Sequence, residues 1–216
     1  MENIKKPKTF EELLILQEIL DGKVGEPRPN GFTPRKRTIT DILLSLDDEF
    51  QEWLRELPQE YNFKTWKQKE YSREKELEEF TDCLFFFLQY QNTLPEPDSG
   101  EYYNDTLIII FNFWEKDYTP IDLNDEITTF KIYLWDNEYG YYLDGCLEAW
   151  IAISKLRGFT KQEILDTYWN KWKKNMERIN KDWTLKKDLK EIIFSEKKYP
   201  EEDYPKQYEE EQKEFK

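Results

Sequence analysis

Residues 39–57 read ITDILLSLDDEFQEWLREL, and this stretch decides the fold class. Ile39, Ile42, Leu43, Leu46, Phe50, Trp53, Leu54 and Leu57 recur at intervals of three, four and seven, the period of one apolar helix face. Pro58 ends the helix. Glu49, Glu52 and Glu56 run along one flank of that stripe rather than opposite it, so acidic side chains border the core. On the N-terminal side, residues 9–21 (TFEELLILQEILD) form a second such segment. Thr9 and Glu12 make a capping box there, and Leu13, Leu16 and Leu20 share a face. The stretch between, GKVGEPRPNGFTPRKR at 22–37, carries Pro, Gly and a basic cluster and reads as a loop.

On the C-terminal side a third helix is expected from about 72 to 91. Its half from Cys83 to Leu88 is apolar on every side and is expected to be buried all round. From residue 93 the character changes. TLIIIFNFW at 106–114 and ITTFKIYLW at 127–135 are β-branched and aromatic runs, which predict two strands in a small β-rich insertion over 93–142. Short apolar runs also fit buried helix, and periodicity alone does not separate the two. Helical pattern returns at 143–157 and again from Thr160 to about 180, where Thr160 and Glu163 form a capping box. The expected organisation is a mainly α bundle built from 1–92 and 143–190, interrupted by the insertion. Residues 191–216 form a charged, Pro-broken tail expected to be mobile.

Composition removes many chemistries. Aromatic residues are 17% of the 216, too much apolar surface for a disordered chain despite 36% charged residues and a mean hydropathy of -0.94. A formal net charge of -14 disfavours binding to nucleic-acid polymers or anionic membranes. No apolar run approaches the ~20 residues that span a bilayer, and no secretory leader pattern opens the chain. With only Cys83 and Cys146 present, no disulfide framework is implied, and a reducing cytoplasm is the expected compartment. There is no histidine, which excludes His-based triads and His-ligated zinc within this chain. Chemistry must rest on carboxylates, Lys, Arg, amides and hydroxyls, a donor set suited to hard cations.

Two carboxylate pairs stand out. Glu49 with Glu52, and Glu79 with Asp82, are each three apart, one turn on one side of a helix. Spacing alone is weak, because 46 acids would give roughly ten such pairs by chance. Asp82, however, begins the all-apolar half of its helix, with no Lys or Arg within a turn. A carboxylate there needs a cationic side chain or a bound cation. Four converging carboxylates could share Mg²⁺, and a structural ion-pair network is the competing explanation. Further on, Tyr168, Lys171, Asn175 and Arg178 lie at spacings of three, four and three on one helix face. That face suits a phosphate clamp, or equally a pair of cations snorkelling at the rim of the core.

Taken together these segments resemble the all-α, dimeric dUTPases of the all-α nucleotide pyrophosphatase superfamily, particularly the phage-type members. The resemblance is carried by Leu16-Gln17-Glu18-Ile19-Leu20-Asp21, Glu49-Phe50-Gln51-Glu52, Phe63-Lys64-Thr65-Trp66, Glu79-Phe80-Thr81-Asp82 and Tyr168-x-x-Lys171-x-x-x-Asn175-x-x-Arg178. It implies an all-α pyrophosphatase bundle that hydrolyses dUTP to dUMP and pyrophosphate with Mg²⁺. By this resemblance Glu49, Glu52, Glu79 and Asp82 would hold the metal, with Glu49 activating water. Lys171, Asn175 and Arg178 would hold phosphates and sugar, and Gln17, Lys64 and Trp66 would lie near the nucleotide. A homodimer with a site built from both subunits is implied, as is a host-cytoplasmic setting if the chain is phage-encoded. The chain departs from the family at Asp21, where Asn is common. Two rival readings are a MazG-like pyrophosphohydrolase with another base preference and a protein-interaction module acting through residues 100–142.

Overall fold

Most of the described helices begin where a short polar side chain satisfies their first free N–H groups. In the computed structural model, which describes residues 4–28, 30–94, 106–112, 114, 120, 122–135 and 143–180, α1 spans Phe10–Gly25. Thr9 caps it, its Oγ1 accepting from Glu12 N. Helix α2 spans Ile39–Glu56 and opens with a reciprocal box between Thr38 and Asp41. Ser72 caps α3, Arg73–Thr93. After α4 (Thr106–Asn112), α5 (Leu123–Trp135) and α6 (Asp144–Leu156) comes α7, Lys161–Asn180. The turn into α7 is a Schellman motif. Gly158, at φ 66°, donates to Lys155 O, and Phe159 donates to Ser154 O. Glu163 then closes the expected box on Thr160.

The expected β-rich insertion is not found; no strand occurs among the described residues. Both runs read as strands are helices, α4 and α5. The reason lies in which side chains are buried. Leu107, Phe111 and Trp114 face inward at spacings of four and three, while Ile109 between them is exposed. In α5 the inward set is Leu123, Glu126, Phe130 and Leu134, again helical spacing. Asp122 caps this helix, its Oδ1 accepting from Asn124 N and Asp125 N at 2.8 and 3.0 Å. Tertiary packing overrides the β preference of Ile, Thr and Tyr. Residues 95–105, 113, 115–119, 121 and 136–142, and everything from 181 on including the tail 191–216, lie outside the described residues.

The core is aromatic. Phe80 stacks on Trp150 at 4.7 Å, Trp53 meets Phe80 edge-on, and Phe50 stacks on Phe130 at 3.8 Å, joining α2, α3, α5 and α6. Helix α6 is buried on most of its surface, and Gly145 allows the Tyr133 ring to lie against its backbone. A Cβ at 145 would come within 2.6 Å of that ring. Helices α1 and α7 complete the body through long-range hydrogen bonds from core aromatics, such as Trp172 Nε1 to Leu16 O at 2.8 Å. The chain divides into two compact units, 1–177 and 178–216. Of the second, only 178–180, the end of α7, are described. No described helix is long and apolar enough to cross a membrane.

Candidate active site

Packing of Trp53 on α2 against Phe80 on α3 sets the rotation of both helices, and with it the direction of their acidic flanks. Carboxylate oxygens of Glu49, Glu79 and Asp82 lie within 4.8 Å of one another, the one such group among the described residues. All three are half-buried. Glu52, one turn on from Glu49, is exposed at the edge of the cluster and completes no ligand set with them. Lys171 of α7 reaches across and pairs with Asp82, and also donates to Glu78 O at 3.2 Å. The structure thus supplies Asp82 with the cation its own helix lacks.

The electrostatics are those of crowded acids. Burial, then Asp82, Glu52 and Glu79, push Glu49 up to about 8, with Lys171 pulling the other way. Burial also raises Asp82, opposed by Lys171 and reinforced by Glu79. Like charges this close cannot all ionise without a compensating cation. The donor set therefore fits a hard divalent ion: all oxygen, half-buried, and crowded with negative charge that the Lys171–Asp82 pair only partly offsets.

Two turns along α3 from Asp82 lies a second polar group. Asp21 Oδ1 accepts from Gln17 Nε2 at 2.8 Å and from Gln89 Nε2 at 2.6 Å. Gln17, only 3% exposed, takes a hydrogen bond on Oε1 from the buried Tyr168 hydroxyl at 3.2 Å. Tyr168 stacks on Phe85, and burial beside Asp21 pushes its phenol far up, so it stays a donor. Gln89 Oε1 is the one buried side-chain polar atom among the described residues with no partner. Between the two groups sits Phe86, with the Arg37 guanidinium over its ring.

Several of the residues expected from sequence converge. Glu49, Glu79, Asp82 and Lys171 come together, and Gln17 joins the neighbouring amide cluster. Asn175 is half-buried one turn beyond Lys171, and Arg178 is exposed in the last turn of α7. Lys64 lies over the Phe63 ring at 5.7 Å, outside the cluster, and Trp66 is 80% exposed. Sequence reasoning does not single out Arg37, Ser45 or Gln89. Arg37 lies in a loop that reads only as basic, and a lone Gln on a helix carries no pattern.

A family model described as dUTPase matches residues 9–183, which takes in every one of these positions. No curated protein matches the chain.

Proposed function

This chain belongs to the all-α dUTPase family and is a dUTP diphosphatase, and from that premise we propose that it is Mg²⁺-dependent, with the three-carboxylate cluster as its metal centre. The observation that carries the proposal is the convergence of Glu49, Glu79 and Asp82. Those three would hold Mg²⁺, with Glu52 reaching in from the rim. A bound ion would neutralise phosphate charge and lower the pKa of a coordinated water. Glu49 is the base in this reading. Its carboxylate stands beside Glu79 and Asp82, where it could take a proton from a water held by the ion. Lys171, already at the cluster, would donate to a phosphate oxygen, with Asn175 and Arg178 extending the same face of α7.

The amide cluster would read the base. Gln17 is fixed at both ends by Asp21 and Tyr168, so the spare acceptor is Gln89 Oε1. An acceptor there suits the N3–H of uracil and opposes the N3 lone pair of cytosine. Exposed Trp66 makes no hydrogen bond or ring contact with the described residues, which suits a role in a partner subunit's site, with Lys64 beside it. A homodimer would cover exposed Ile15 and Ile19, one turn apart on α1.

A pyrophosphate-release assay over dUTP, dCTP, dTTP and UTP tests the base assignment. The expected result is preference for dUTP, with discrimination against dCTP reduced at least about tenfold in Gln89→Leu by loss of one hydrogen bond to a buried polar edge. Equal turnover of dCTP and dUTP by the wild type would transfer the chain to a family member of other base preference.

A further inference from the structure

Arg37 ends the basic loop that precedes α2. Its Nη2 donates to Ser45 Oγ and to the Asp41 carbonyl at 3.3 Å, and its guanidinium lies 5.2 Å from the Phe86 ring centroid. These neighbours fix its place in the cleft. Ser45 is one turn before Glu49 on α2, and Phe86 is one turn after Asp82 on α3. Arg37 therefore bridges the two helices about 6 Å along their axes from the carboxylates. On its other side is Asp21 of the amide cluster, near enough for mutual attraction.

The bonding of Arg37 is incomplete for a half-buried cation. Among the described residues it forms no ion pair, its hydrogen-bond partners are neutral, and Nε and Nη1 donate to nothing. Its neighbour Arg35 grips Asp41 through both Nη atoms at 2.5 and 2.6 Å, and Arg157 holds both oxygens of Glu76. Arg37 has the same fork and no carboxylate to fill it. A partly desolvated guanidinium in that position is stabilised when an anion arrives.

We propose that Arg37 is a substrate-binding residue whose open donors take the nucleotide phosphate nearest the sugar. This rests on the reading of the carboxylate cluster as the phosphate end of the cleft and the amide cluster as the base end. Charge selects phosphate over base, because uracil is neutral and phosphate oxygens match a planar fork. Position agrees, since the residue lies between the two ends. The guanidinium lies over the Phe86 ring and Nη2 is taken by Ser45 and the Asp41 carbonyl, which leaves Nε and Nη1 as the donors for a phosphate.

The test uses the full chain with Mg²⁺ and two competitive ligands, dUMP and deoxyuridine, against wild type, Arg37→Met and Arg37→Lys. In Arg37→Met, dUMP binding should weaken about tenfold or more, the loss of one charge-assisted hydrogen bond, and deoxyuridine binding by less than about twofold. The KM for dUTP should rise in parallel while kcat stays within about threefold, the pattern of a uniform binding contact. Arg37→Lys should recover part of the dUMP affinity. Unchanged dUMP binding in either folded variant overturns the proposal, as does equal weakening of dUMP and deoxyuridine. Should Arg37→Met fail to melt cooperatively, the lysine variant decides: full wild-type affinity for both ligands, or equal loss of both, rejects the role. Wild-type turnover is read separately. Its absence would sink the dUTP reading, whereas normal wild-type turnover with insensitive variants sinks Arg37 alone.

Discussion

A carboxyl group lodged beside two others keeps its proton longer than one in water, and Glu49 is such a group. Its pKa of about 8 in the fold lies above the ordinary 4.5. Between those values the native state holds a proton that the unfolded chain has released. Metal-free protein is therefore most stable below the unfolded value and loses stability as pH rises towards 8. With no histidine in the chain, few other groups titrate in that window, and raised Asp82 acts with the same sign. Thermal melts in a chelator should give a lower Tm at pH 8 than at pH 5.5, and Mg²⁺ should raise Tm more at pH 8. A Tm flat across this range without metal would contradict the crowding of these acids. Glu49→Gln sharpens the point. It should cut kcat by about 10²–10⁴-fold, as loss of a general base does, yet melt higher than wild type in chelator at pH 8. A variant both inactive and destabilised would mean that Glu49 supports the fold instead.

At the scale of the helix, most of the structure was legible because caps and apolar stripes are local. Thr160 closes its box with Glu163, Thr9 caps α1 although Glu12 accepts from Lys8 N instead of closing the box, and α2 ends at Glu56 just before Leu57-Pro58. The failure came at α4 and α5, where β-branched residues outweighed a cap that was present, Asp122. Ile132 and Tyr133 contributed to the strand reading but are exposed, while Phe130 and Leu134 set the true period. Asp122→Ala should cost about 1 kcal/mol in urea unfolding, the usual worth of a side-chain cap; no change would argue that the cap is idle. The buried Glu76 was equally hidden in a charged run. It is 0% exposed, held by Arg157 at 2.7 and 3.0 Å, with Tyr71 and Trp53 donating to it. Arg157→Met should destabilise by about 3–5 kcal/mol because it strands a buried charge. Adding Glu76→Gln should restore much of that, a coupling visible in a double-mutant cycle.

At the scale of the whole molecule, the site is assembled from distant segments, and distance is what sequence conceals. Glu49 stood out on the flank of its apolar stripe, and Asp82, with Glu79 one turn before it, at the start of an all-apolar half-helix. That Lys171 would serve Asp82, 89 residues away, could not be read there. The contact depends on how α7 lies against α3, fixed by packing such as Tyr168 on Phe85. Glu52 shares the phase of Glu49 and is exposed at the rim of the group. Net charge of -14 gains its meaning here. In the proposed reading, an acidic chain would meet its polyanionic substrate through a divalent ion held where three acids crowd together.

The most direct test of that claim is pyrophosphate release from dUTP, titrated with Mg²⁺ in wild type and in Glu79→Gln. Release should be absent in chelator, saturate with Mg²⁺, and fall at least about 10²-fold in a folded Glu79→Gln variant, the scale of losing metal-assisted charge stabilisation. Release that proceeds equally without divalent cation, or is untouched by Glu79→Gln, would contradict it.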